Sequence, residues 1–259
     1  MNPTGEAYCI QTFAEKANRR GAWLLVDATF GPPGLQDPFE WGADVVMHSG
    51  TKYLGGHSDM LCGVLATRKK HWIEGLREER QFLGSVMGSL EGWLGVRSLR
   101  TLEVRVSRQS SNCAHLVQWL DSLARSNEEG GVAEVIEKVH HASLQRSDME
   151  WLKRQMPNGF GPVFAVTMKS EALARRLPSK LALFHHATSL GGVESLIEWR
   201  AMSDKTVDTR LLRVSVGLEN WEDLRDDLEQ GFRQLQRRVF DFSPIERCRL
   251  SELTLNPST

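Results

Sequence analysis

The chain has 259 residues, 41% of them hydrophobic and 25% charged, with a formal net charge of −1. That length suits one large domain or two modest ones, and the balanced charge excludes the basic footprint of a general nucleic-acid binder. No apolar run is long enough to span a bilayer and no signal-peptide pattern is present, so a cytoplasmic location is expected. Cys9, Cys62, Cys113 and Cys248 include no Cys-x-x-Cys pair, which fits a reducing compartment and speaks against a zinc site or a disulfide framework.

The first residues, Met1-Asn2-Pro3-Thr4-Gly5, form a turn sequence with no strand before it, and the expectation is that the start of the domain is missing. Ile10, Phe13, Ala14 and Ala17 fall at helical spacing, with Gly21 as the stop. Ala22 to Val26 is an apolar run of the kind found in buried parallel strands, and it ends in Asp27. A Pro/Gly-rich connection from Pro32 to Gly42 leads to a second strand, Asp44 to His48, and a third strand is expected from Met60 to Thr67.

A helix is expected from Ser89, with Leu90, Trp93, Leu94, Leu99, Leu102 and Val106 on its apolar side. The polar stretch Ser107 to Ser111 then separates it from a second helix carrying Leu116, Trp119, Leu120 and Leu123. A domain boundary is placed near Ser110, and Ser126 to Gly131 reads as a loop. The C-terminal half reads as a strand (Val163 to Met168), a short helix (Glu171 to Leu177), a strand (Leu181 to Ser189) and a strand (Leu211 to Val216). A last helix, capped by Asn220, carries Trp221, Leu224, Leu228, Phe232 and Leu235 and closes on Arg237-Arg238. Residues 243–259 read as a loose tail. Strand, helix, strand, strand, helix describes a small α+β domain.

The chemistry is concentrated between Asp27 and Lys52. Open α/β sheets place ligands at the carboxyl ends of their strands, where Asp27 and the segment Ser49-Gly50-Thr51-Lys52 both fall. Most lysines are exposed, so Lys52 alone reads as a solvated side chain after a polar turn. Joined to Asp27, it describes a pyridoxal phosphate site: an amine for the Schiff base, hydroxyls for the phosphate, and a carboxylate that keeps the pyridine nitrogen protonated. On strand periodicity alone Arg213 reads as one half of a surface ion pair. No metal site is expected: His48, His57, His140, His141, His185 and His186 lack ligand spacing, and His140-His141 would diverge on a helix. The eight tryptophans read as core and interface anchors.

The sequence resembles the Cys/Met-metabolism (trans-sulfuration) family of pyridoxal phosphate enzymes, which includes cystathionine γ-synthases and cystathionine β- and γ-lyases. The resemblance rests on Asn2-Pro3-Thr4-Gly5, Val26-Asp27-Ala28-Thr29-Phe30, His48-Ser49-Gly50-Thr51-Lys52-Tyr53-Leu54-Gly55-Gly56-His57, Ser189-Leu190-Gly191-Gly192-Val193-Glu194-Ser195-Leu196 and Arg213-Val214-Ser215-Val216-Gly217. It implies a fold type I α/β architecture, with residues 1–110 as part of the cofactor domain and 111–242 as the small α+β domain. By resemblance Lys52 is the Schiff-base lysine, Asp27 the pyridinium partner, and Ser49 and Thr51 the phosphate ligands. Thr29 lies by the ring, Asn2 by the cofactor and the substrate carboxylate, and Ser189 and Arg213 contact substrate. The implied activity is γ-replacement or C–S elimination on sulfur-containing or O-acyl amino acids, in a homo-oligomer.

Three departures stand out. Ala28 replaces the family's usual asparagine, and Trp199 to Asp204 replaces a substrate-facing Pro-Ala-Ser-Met-Thr-His type of loop. The family's N-terminal arm and the first half of its cofactor domain have no counterpart. Unpaired strands and weak or no cofactor binding by residues 1–259 alone are therefore expected, and an inactive relative serving as an oligomer partner is the alternative function.

Overall fold

The computed structural model describes residues 1–126 and 134–240. Most of the expected loop at 126–131, the tail, Cys248 and the side chains of Arg237 and Arg238 lie outside the described residues. After helix α1 (Ile10–Arg19), the strands β1 (Leu25–Asp27), β2 (Val45–Ser49) and β3 (Gly63–Ala66) form a sheet in that order. β1 runs parallel to β2, with Asp27 opposite Met47, and β3 is antiparallel to β2, with Gly63 opposite Ser49. β1 is shorter than expected, and it is not buried. It lies at a sheet edge, and Trp23 and Leu25 are exposed. Among the described residues β1 and β3 each pair on one side only, so both are edge strands.

Helix α2 (Lys70–Leu83), which the sequence reading passed over, carries no buried residue. Helix α3 (Ser89–Leu99) is followed by helix α4 (Leu102–Arg125). The break therefore falls at Arg100-Thr101, and the polar stretch 107–111 lies inside α4, with Ser110 near its middle. Within that stretch Gln109 and Ser110 face protein, as does Asn112 just after it, while Ser107, Arg108 and Ser111 are exposed. Gln109 Nε2 donates to Gly192 O (2.6 Å), and Asn112 Nδ2 donates to Glu219 O (2.8 Å).

The second sheet contains β4 (Ile136–His140), β5 (Val163–Met168), β6 (His185–His186), β7 (Leu196–Trp199) and β8 (Leu211–Ser215), in the order β4-β5-β8-β7-β6. His140 ends a strand, so the expected helical placement of His140-His141 does not hold. Only two residues of the expected strand from Leu181 to Ser189 are extended in the sheet, and β7, β4 and helix α5 (Met149–Gln155) were not foreseen. Helix α6 (Glu171–Arg176) follows β5, and helix α7 (Trp221–Phe240) closes the described chain. The Asn220 side chain accepts from Glu222 N–H (3.0 Å), a capping contact at the start of α7.

The core lies between this sheet and helices α4 and α7. Leu116 and Leu120 of α4 pack with Phe164, Ile197, Leu212 and Val214 of the strands and with Leu224, Leu228 and Phe232 of α7. A second cluster joins Tyr53 of the first sheet's lysine loop to Val106, Leu152, Val163 and Leu190, which presses that loop against the second sheet.

Candidate active site

The lysine loop leaves the carboxyl end of β2 as successive turns. Lys52 N–H donates to Ser49 O (3.1 Å), Gly55 N–H to Gly50 O (2.8 Å), and Gly56 N–H to Lys52 O (2.7 Å). Glycine is sterically required at two points. A Cβ at Gly50 would stand 2.1 Å from Cys62 Sγ, and one at Gly56, where φ is +73°, would stand 2.0 Å from Arg105 Nη1. Arg105 is buried in α4 and fastens the loop, donating to Tyr53 O (2.8 Å), Ser98 O (3.0 Å) and Thr101 Oγ1 (3.1 Å).

The predicted residues fall into two groups. In the first, Asp27 Oδ1 accepts from Thr29 N–H (3.0 Å) and Thr29 Oγ1 accepts from Ser49 N–H (2.9 Å), so the ends of β1 and β2 are tied by side chains. In the second, Lys52 Nζ donates to Ser189 Oγ (3.3 Å), and Arg213 donates through Nη1 to Asn2 Oδ1 (3.0 Å) and through Nη2 to the carbonyls of Thr188 and Ser189. The Lys52 N–H bond to Ser49 O joins the two groups. Thr51 stands apart, because its hydroxyl accepts from Cys62 N–H (3.2 Å) and donates to Cys62 O (3.4 Å).

Arg213 is not in a surface ion pair. It is 4% exposed, because the lysine loop and the Ser189 segment cover the sheet face on which strand alternation places it. Its partner is Glu198, directly opposite on β7 and 2% exposed, with Nη2 2.6 Å from Oε2. Burial pushes the Lys52 amine below the usual lysine range, the Arg213 cation adds to that, and Glu198 opposes it. Burial also lowers the His48 imidazole, with the Asp27 carboxylate opposing.

Arg105, Glu198 and Arg200 were missed by sequence reasoning. For Arg105 a signal existed: Arg105, Gln109 and Asn112 continue the three- and four-residue spacing of Leu116 and Leu120 toward the N-terminus. They form a polar extension of a buried stripe.

A lowered-pKa amine, a strand-end carboxylate, neighbouring hydroxyls and a buried guanidinium are the donor set of a lysine-linked aldehyde cofactor site. The residues fit pyridoxal phosphate. Among the described residues Lys52 Nζ is held only by a hydroxyl, and Gly191, at φ +79°, lets the Ser189 segment lie against the lysine; a Cβ there would be 3.2 Å from Lys52 Cβ. The chain belongs to the family of Cys/Met metabolism PLP-dependent enzymes, which it matches over residues 1–233. It is 39% identical over 243 residues to the cystathionine gamma-synthase of Mycobacterium tuberculosis, covering 89% of this chain and 59% of that one. It is 30% identical over 244 residues to the cystathionine beta-lyase of Lactococcus lactis, covering 90% and 62%. Among solved structures, the cystathionine gamma-lyase of Lactobacillus plantarum complexed with L-serine superposes with a TM-score of 0.83 at 30% identity, covering 91% of this chain and 62% of that one. The chain thus spans less than two thirds of the length of these relatives.

Proposed function

We propose that the chain carries the lysine side of the active site of a trans-sulfuration enzyme. It would act on sulfur-containing or O-acyl amino acids by γ-replacement, as a cystathionine γ-synthase does, or by C–S elimination. The observation that carries this reading is the convergence of Lys52, Ser189, Arg213 and Asn2, which come from three distant parts of the sequence. Pyridoxal phosphate, when bound, supplies the electron sink for charge developing at the substrate Cα. Lys52 would bind the cofactor and move a proton on Nζ, its lowered pKa favouring the uncharged base. Asp27 would hold the proton of the pyridine nitrogen, Ser49 would donate to the phosphate, Thr51 would do so on releasing Cys62 O, and Thr29 fixes Asp27 and Ser49. Arg213 and Asn2 orient the substrate carboxylate, and Ser189 holds the lysine amine in place.

The reading includes a homo-oligomer, a cytoplasmic location, and a division into a cofactor domain at 1–110 and a small domain at 111–242. Among the described residues no helix is long and apolar enough to cross a membrane. Reductive trapping tests the catalytic reading. Residues 1–259 are mixed with pyridoxal phosphate, reduced with borohydride and mapped by peptide. Preferential labelling of Lys52 over the other lysines is expected even at weak affinity, and indiscriminate labelling would overturn the catalytic reading. Product analysis with O-acyl-homoserine plus cysteine, against cystathionine alone, then separates replacement from elimination.

A further inference from the structure

Arg213 faces the site already paired. Its Nη2 meets Glu198 Oε2 at 2.6 Å, and both side chains are buried. A buried Arg–Glu pair is neutral as a unit and offers little net attraction to an incoming carboxylate. Glu198, however, serves a second cation. Arg200 Nη1 lies 3.0 Å from both Glu198 carboxylate oxygens, and Ser203 Oγ donates to Oε1. The Arg200 side chain is itself only 11% exposed, and its Nε is buried without a hydrogen-bond partner among the described residues. Its outer contact, Asp204 Oδ2 at 3.6 Å, is partly exposed, where solvent weakens that charge. The buried unit is therefore two cations about one anion, and Arg213 is the cation beside Ser189 and Lys52.

We propose that Arg200 is a positioning residue for carboxylate recognition: by sharing Glu198 with Arg213, it leaves Arg213 a net cation toward the α-carboxylate of an amino acid. Short range order supports this division of labour. Arg200 sits in a single turn, Arg200–Met202, directly after β7, so Glu198 and Arg200 are held on one continuous segment, while Arg213 is fixed from β8 and by the Thr188 and Ser189 carbonyls. Among the described residues the Arg200 side chain pairs with Glu198 and Asp204, so its effect on binding passes through Glu198.

The inference rests on the amino-acid site proposed above, and its test reads binding, not turnover. Calorimetric titration with L-alanine and with L-alaninamide, which lacks the carboxylate, is run on residues 1–259 with and without pyridoxal phosphate. The wild type should prefer L-alanine. Arg200→Met should lose about tenfold in L-alanine affinity and nothing for the amide. Arg200→Lys should retain most of the preference. Adding Glu198→Gln to Arg200→Met should restore it, because the anion that then captures Arg213 is gone. Equal losses for both ligands, an unchanged preference in Arg200→Met, no rescue by the double variant, or a wild type that binds both alike or neither would each overturn the proposal. Where Arg200→Met does not fold, Arg200→Lys and the double variant carry the same comparison. Failure of the cofactor reading shows separately: pyridoxal phosphate does not bind, yet preference for L-alanine persists without it.

Discussion

Lys52 and Ser189 stand 137 positions apart in sequence, yet the lysine Nζ lies 3.3 Å from the serine Oγ. The contact crosses from the first sheet to the second, and three features make it short. Tyr53 is buried in the cluster that joins the two sheets, Gly191 allows close backbone approach, and Val193 N–H donates to Gly56 O (2.9 Å). The amine is thereby held in a partly desolvated position beside Arg213.

That environment predicts the pH dependence of Lys52 reactivity. Burial and Arg213 both lower its pKa, so its uncharged, nucleophilic form persists to lower pH than for a free lysine. The rate of reductive labelling of Lys52 by pyridoxal phosphate, followed against pH, should reach half its maximum below the free-lysine value. Arg213→Ala should move that midpoint up, and Glu198→Gln, which removes the opposing anion, should move it down. A midpoint unmoved by both variants would show that the charges do not act on the amine.

Arg105 predicts how rigidly the lysine loop is held. Its guanidinium satisfies the carbonyls of Tyr53 and Ser98 and leaves no room for a side chain at Gly56. Arg105→Met would strand those buried acceptors and should destabilise the chain by roughly 3 kcal/mol in urea unfolding. Amide hydrogen exchange should accelerate at residues 53–56 more than in β8. A variant of wild-type stability with unchanged exchange would mean that the loop is held by packing alone.

These relationships also mark what the sequence made legible. Local patterns placed α1, β2, β5 and α7 closely, because each has clear periodicity and its own stop or cap. Asp27, Ser49 and Lys52 could be named as candidates because they lie at or just past the ends of β1 and β2, whereas Asn2, Ser189 and Arg213 followed from the family resemblance. The length of α4 was hidden, because the polar stretch Ser107 to Ser111 read as a break, while Gly192 and Glu219, the partners of Gln109 and of the neighbouring Asn112, lie over eighty residues away. The burial of Arg213 was hidden for a related reason. Strand alternation says which face it takes, and only tertiary packing says what covers that face. β1 was misjudged in the other direction: an apolar run signals a buried strand, whereas the described chain has no neighbour on its outer edge.

Asp227 predicts a stability determinant far from the site. From α7 its carboxylate accepts the N–H groups of Ala182 (2.9 Å), Leu183 (2.8 Å) and Phe184 (3.4 Å), and it is 6% exposed. It acts as a cap for a segment that β6 pairs only briefly. Asp227→Ala leaves these three backbone donors, and the Gln230 amide that also donates to it, without their acceptor and should cost about 2–3 kcal/mol in chemical denaturation, with the position of Arg213 intact. Asp227→Asn, which keeps one oxygen, should lose less. Equal stability of the alanine variant and the wild type would show that water replaces the carboxylate.

His141 predicts how the fold responds to acid. It is buried beside Cys113, whose Sγ lies 3.8 Å from Nε2. Nε2 donates to Gly161 O (3.1 Å), while Nδ1 accepts from Ser143 N–H (3.2 Å). That arrangement suits the neutral ring, and burial holds its pKa down to about 4. The sign follows from linkage. Below the unfolded value of 6.5 the unfolded chain takes up a proton that the native chain refuses, so stability falls as pH drops from 6.5 toward 4 and this group adds no further loss below that. The full loss from one such group is about 3 kcal/mol. His141→Gln keeps a donor for Gly161 and cannot titrate, so its stability between pH 7 and pH 4.5 should fall less steeply than that of the wild type. His48 and His140, whose pKa values burial also lowers, leave a residual slope in both proteins. Urea midpoints of the two proteins measured across that range decide the matter, and parallel slopes would show that His141 is protonated in the native fold.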